Sequence, residues 1–109
     1  MNSTIQRKLE TLPHKPGVYK FKDTNGNLLY IGKAINLYNR VRSYFNTDLE
    51  DRPRVKQMIP FIADLEITET NNEIESLVLE SALVKKYQPP YNSDLKDDKS
   101  YAWIYISAK

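Results

Sequence analysis

No cysteine occurs in this 109-residue chain, which excludes disulfides and thiolate metal sites. Its single histidine, His14, sits between prolines and cannot build a zinc site alone. Any metal held here must sit on oxygen ligands, which points to magnesium or manganese. Glycine is scarce, with three in the chain, and Gly32-Lys33 lacks the glycine spacing of a Walker A phosphate loop. No apolar run approaches the roughly 20 residues that a membrane helix needs. The first eight residues have no apolar core and do not read as a secretory signal. Charge of one sign is also nearly lacking, since the net charge is +2.

What is present is an ordinary globular composition, 40% hydrophobic and 28% charged. The length supports one compact domain over residues 1–109 and not two. The charge is unevenly spread. Residues 1–50 carry eight Lys/Arg against four Asp/Glu, whereas residues 51–109 carry eight against ten. The basic half suits a phosphate-facing surface, although a random surface asymmetry accounts for it as well.

Residues 4–10 read as a short helix that ends before Pro13. Gly17 to Lys22 alternates Val18, Lys20 and Lys22 against Tyr19 and Phe21, a strand pattern. Asp23 to Asn27 is turn chemistry, with Asn25-Gly26 as its strongest pair, and Leu28 to Ile31 returns as a second strand. Asn36 is a good N-cap for a helix through about Phe45, with Leu37, Val41 and Tyr44 on one face and Arg40 at its border. A polar loop, 46–53, ends at Pro53. Val55, Met58, Ile59 and Ile62 then indicate a helix disturbed by Pro60. Asp64 to Glu69 alternates as a third strand. Thr70-Asn71-Asn72-Glu73 fits a capping box for a helix to about Tyr87, which Gln88-Pro89-Pro90 stops. Tyr101 to Ile106 alternates as a last strand. The expected fold is a small α/β domain, a central, mostly antiparallel sheet flanked by helices.

Glu80 is the sharpest local anomaly. Three of its four neighbours one turn away, Leu77, Leu83 and Val84 beside Ser76, are apolar. A carboxylate there loses solvation and needs a cation or a basic side chain, unless it reaches solvent from the helix edge. Tyr19 and Tyr30 lie on adjacent strands, where paired phenols serve core packing. A phenol acts as a general base only if something lowers its pKa from about 10. Lys33 and Arg40 are candidate phosphate contacts, arginine offering a permanent charge and a bidentate grip. Arg42, on the same helix as Arg40, turns away from the Leu37 face. Asn92, past the helix stop, can fix a loop through backbone groups or hold an active-site group. Asp97-Asp98, beside Lys99, reads as a solvated turn before it reads as a second metal site.

Taken in order, these segments resemble the GIY-YIG endonucleases, and most closely the N-terminal nuclease domain of the UvrC family of excinuclease ABC components. The resemblance rests on four stretches: Leu12 to Tyr19; Leu29 to Ala34 with Asn36-Leu37 and Arg40 to Phe45; Leu77 to Glu80 through Lys86-Tyr87 and Tyr91-Asn92; and Asp97 to Tyr101. It covers nearly the whole chain but only the start of the family's full-length proteins, so a longer protein is expected. The resemblance implies a DNA endonuclease with one magnesium or manganese ion, ligated by Glu80 as the sole protein ligand. Tyr30 would take the proton from the attacking water or help place it, with Tyr19 positioning it. Arg40 would stabilise charge on the phosphate, Lys33 would assist, and Tyr44 and Asn92 would complete the site. Lys33, Arg40 and Arg42 would meet DNA. It further implies the 3′ incision of nucleotide excision repair on damaged double-stranded DNA, the B component of the excinuclease as partner, and a cytoplasmic setting without membrane. A stand-alone structure-specific nuclease and a non-catalytic DNA- or partner-binding module remain the alternatives.

Overall fold

The structure, a computed structural model, describes residues 3–46 and 52–92. In chain order its elements are α1 (Ser3–Glu10), β1 (Gly17–Lys22), β2 (Leu28–Ala34), α2 (Leu37–Asn46), α3 (Pro53–Met58), a 3-10 turn (Ile59–Phe61), β3 (Asp64–Glu69), α4 (Glu73–Tyr87) and a second 3-10 turn (Pro90–Asn92). The expected α/β architecture forms. β1 lies between β2 and β3 and runs antiparallel to both. Asp97-Asp98 and the expected strand Tyr101–Ile106 lie outside the described residues. Among the described residues no helix is long and apolar enough to cross a membrane.

Register explains the core. Phe21 stands opposite Tyr30 and Leu65, and Tyr19 opposite Gly32 and Ile67, so the aromatic residues share one face. Ile5 and Leu9 of α1, Leu37, Val41 and Tyr44 of α2, and Val55 and Met58 of α3 close over that face. Each such side chain contributes about 1.5–3 kcal/mol of burial. The opposite face holds Val18 and Ile31, also buried, beneath α4 and the second 3-10 turn. The alternation expected of β1 therefore does not separate core from solvent, because helices cover both sides of the central strand.

Three local features differ from the sequence expectation. β2 runs on to Ala34, because its ladder with β1 continues through Gly32, Lys33 and Ala34 opposite Tyr19, Val18 and Gly17. The hairpin closes through the five residues Asp23 to Asn27, as expected of that turn chemistry. The Asp23 carboxylate accepts from the N–H groups of Asn25 and Asn27, and Gly26 supplies a positive-φ step at +83°. The helix after Pro53 ends at Met58, and Ile59–Phe61 tightens to 3-10 geometry around Pro60, which has no N–H to give. The capping box of α4 sits two residues later than Thr70 and Glu73. Asn72 Oδ1 accepts from Glu75 N–H, and Glu75 Oε1 accepts from Asn71 N–H. Asn36 caps α2 as expected, accepting from Asn39 N–H at 3.0 Å.

Candidate active site

A cavity of about 600 Å³ opens over β2, between α2 and α4. It gathers Tyr19, Tyr30, Lys33, Arg40 and Glu80 from four separate elements, together with Arg52, which precedes α3.

The floor depends on a missing side chain. A Cβ at Gly32 would overlap the Tyr19 hydroxyl, so only glycine lets that phenol lie across β2. Tyr19 and Tyr44, both buried, place their hydroxyl oxygens 2.6 Å apart. Tyr30 completes the cluster, its ring centroid 6.3 Å from that of Tyr19 and 6.2 Å from that of Tyr44. Burial raises the pKa of both Tyr19 and Tyr30 well above the ordinary phenol value, and the neighbouring Tyr44 adds to the effect. Arg52 opposes it at Tyr30. The surroundings thus keep Tyr30 protonated at neutral pH, and any base role must draw on charge that arrives with the substrate complex.

Positive charge surrounds the phenols. Arg40 is exposed at the rim of the cavity, and its guanidinium carbon lies 5.5 Å from the Tyr44 ring centroid. Lys33 projects from β2 into the same space. It is half-buried.

Glu80 faces these cations from α4. The helix turns Ser76, Leu79, Glu80, Leu83 and Val84 toward the sheet, while Ile74, Leu77 and Val78 are left on the outside. Leu77 is therefore not part of the apolar setting expected around Glu80. Glu80 is partly buried, and that burial raises its carboxyl pKa, with Lys33 pulling the other way. It makes no ion pair among the described residues. A carboxylate held half out of water without a neutralising contact, in a cavity that also holds hydroxyl, amide and cationic groups and a second carboxylate, Glu73, fits a hard divalent cation that keeps most of its own waters. No cluster of three or more acidic or histidine ligands exists among the described residues, so such an ion would hold at most two protein carboxylates and take the rest of its shell from water or phosphate.

Asn92 completes the arrangement without lining the cavity. It is fully buried. Its Oδ1 accepts from Ile31 N–H at 3.0 Å and its Nδ2 donates to Ile31 C=O at 2.9 Å. One amide thereby satisfies both main-chain groups of the residue between Tyr30 and Gly32, as a further strand would. Asn92→Ala is expected to strand both groups, at about 1–3 kcal/mol each. Thermal unfolding should show a lowered midpoint, and a melt unchanged from wild type would contradict this role.

The structure separates Arg42 from the other candidates. Its Nη1 donates to the Leu9 carbonyl at 3.3 Å, closing the C-terminus of α1, and its guanidinium stacks 4.9 Å from the Tyr38 ring centroid. Arg42 therefore does not join Lys33 and Arg40 in the cavity and packs on α1 and Tyr38 instead. Conversely, Arg52, Asn39, Ser43 and Glu73 line the cavity and were not expected there. Asn39 and Ser43 sit at helical spacing from Asn36, a legible signal. Arg52 lies within the stretch read as a polar loop and had none.

Residues 15–93 match the family model of the UvrC-like GIY-YIG domain. The chain is 49% identical over 105 residues to the UvrABC system protein C of Chlorobaculum tepidum, covering 96% of this chain and 17% of that protein. It is 52% identical over 99 residues to the UvrABC system protein C of Methanospirillum hungatei, covering 91% and 19% respectively. The chain thus spans about a sixth to a fifth of the length of these curated relatives. Among solved structures, the GIY-YIG N-terminal endonuclease domain of UvrC from Thermotoga maritima, bound to its catalytic divalent cation, magnesium, superimposes with a TM-score of 0.73 at 41% identity. That match covers 84% of this chain and 99% of the other. A point mutant of the same domain, also bound to its catalytic divalent cation, gives a TM-score of 0.74 at 42% identity, over 84% and 97% of the two chains.

Proposed function

The chain belongs to the UvrC-like GIY-YIG domain family, and on that premise we propose that it is a DNA endonuclease domain that hydrolyses one phosphodiester bond on the 3′ side of a lesion. The observation that carries this reading is Glu80, a partly buried carboxylate facing Lys33 in the cavity that also holds Arg40 and the phenols.

Glu80 would hold one magnesium or manganese ion. When bound, that ion polarises the phosphoryl oxygens and steadies the leaving oxygen. Arg40, exposed at the rim, reaches a phosphate and adds fixed positive charge where negative charge gathers. Tyr30 places the attacking water, or receives its proton once the phenol pKa has been lowered by the incoming cation and Tyr30's own proton has passed to solvent. The Tyr19–Tyr44 hydroxyl pair holds the neighbouring ring in register. Lys33 supplies a second positive charge at the entrance, and Asn92 fixes the β2 backbone beneath Tyr30. Damaged double-stranded DNA is the substrate, the B component of the excinuclease is the partner of the longer protein, and the setting is the cytoplasm.

The test is incision of an end-labelled duplex with one defined lesion, by the full-length protein carrying this domain and its damage-loaded partner proteins. The 3′ cut is expected to vanish on chelation of divalent cations and to return with magnesium. A 3′ cut that survives chelation would remove the basis of the reading.

A further inference from the structure

Arg52 is a cavity residue that the reading above leaves without a task. It occupies the cap position before α3, followed by Pro53 at the first helical position, so its main chain is held at the start of a rigid element. Its side chain leaves that element and reaches the phenol cluster. Nη2 lies 3.4 Å from the Tyr30 hydroxyl oxygen, and the guanidinium carbon lies 5.7 Å from the Tyr44 ring centroid. Arg40 approaches the same Tyr44 ring, at 5.5 Å. The phenols are thus contacted by two guanidinium groups, and Arg52 is the one that donates to Tyr30.

The donor inventory gives this contact a direction. A guanidinium has N–H groups and no acceptor, so the Tyr30 oxygen must accept and Arg52 must donate. Tyr30 cannot then turn its own proton toward Arg52. That proton is left to the neighbouring Tyr44 oxygen or to the open cavity that Tyr30 lines, where water and substrate enter. The Tyr30 oxygen itself is held at the cavity wall. A permanent positive charge beside it also favours any negative charge that gathers there.

We propose that Arg52 is a positioning residue of the endonuclease site, which holds the Tyr30 hydroxyl as a hydrogen-bond acceptor and so fixes its oxygen at the wall of the cavity that contains Glu80. This rests on the assignment of Tyr30 above and adds a residue that acts through it.

The experiment is single-turnover 3′ incision by the full-length protein with its partner proteins, over a range of DNA concentrations. It compares wild type with Arg52→Ala, Arg52→Lys, Tyr30→Phe and the double variant Tyr30→Phe/Arg52→Ala. Arg52→Ala is expected to lower the saturated rate by about 10–100-fold, the range seen when a group orienting a catalytic ligand is removed. The half-saturating DNA concentration should stay near that of wild type. Arg52→Lys, which keeps a donor and a charge, should recover part of the rate. In the Tyr30→Phe background, Arg52→Ala should add little, because the group it orients is already gone. Multiplying losses in the double variant, or a raised half-saturating concentration with an unchanged saturated rate, would overturn the proposal and make Arg52 an independent phosphate contact. A wild-type rate for Tyr30→Phe would instead overturn the assignment of Tyr30 itself. Thermal melts of each variant separate these results from loss of fold.

Discussion

Glu80→Gln is expected to abolish the 3′ incision while leaving the domain folded. Glutamine has nearly the shape of glutamate, so the stripe of α4 that packs on the sheet survives, whereas the anionic ligand does not. The same substitution makes a stability prediction of definite sign. Burial raises the pKa of Glu80 in the folded protein, against a partial pull from Lys33. A raised carboxyl pKa means that the folded state binds the proton more tightly than the unfolded state. The ionised group thus costs stability as pH rises from the unfolded value, about 4.3, through the folded one. Without divalent cation, Glu80→Gln should melt above wild type at pH ~7.5, and the difference should shrink toward zero below pH ~4, where both states are protonated. Magnesium should reverse the order. A ligand at about 100 times its dissociation constant adds about 2.7 kcal/mol to the form that binds it. Wild type has the carboxylate and the variant does not. Melts at the two pH values, with and without magnesium, check this directly. If magnesium raises both midpoints equally, the ion sits elsewhere.

Arg40→Ala is the second substitution with a large expected effect. The guanidinium is exposed at the cavity rim, with the Tyr44 ring 5.5 Å away, and it makes no ion pair among the described residues. Its charge is available to a phosphate. Removing one preorganised donor of this kind slows chemistry by about 10²–10³-fold. Binding should change far less, because a group that acts on charge developing in the transition state contributes little to ground-state binding. Arg40→Lys should retain part of the rate, since it keeps the charge and loses the planar two-pronged geometry. The measurement is the saturated incision rate against the half-saturating DNA concentration. Equal losses in both would reduce Arg40 to an ordinary phosphate contact, and a lowered melting midpoint would show that its stacking on Tyr44 matters to the fold.

These two residues are legible in the chain for different reasons. Arg40 lies on a helix whose apolar spacing, Leu37, Val41 and Tyr44, is unambiguous, and all three are buried. Its side of that helix follows from 3.6-residue geometry. Glu80 stands out as a carboxylate among apolar neighbours, but its helix has no sharply apolar face. Spacing alone leaves open whether Glu80 meets the sheet or the solvent, and Leu77, counted among its apolar surroundings, points outward.

Short stretches of the chain settle the local structure. The hairpin, the Asn36 cap, the three described strands and the stop after Tyr87 are written in period, turn chemistry and caps, each readable within a few residues. The order of the motifs also singles out the cavity-lining Tyr19, Tyr30, Lys33, Arg40 and Glu80. Which groups meet across the chain is settled only when it folds. Asn92 reaches Ile31 over 61 positions, and Arg52 reaches Tyr30 over 22. Neither contact leaves a periodic trace, because a single side chain meeting a distant backbone or hydroxyl group constrains no neighbours. Arg42 carries the same charge as Arg40 two residues away, yet the helical turn sends it to Leu9 and Tyr38. The burial of both faces of β1 comes likewise from α4 folding back over the sheet, a long-range event that the alternation of one strand cannot record.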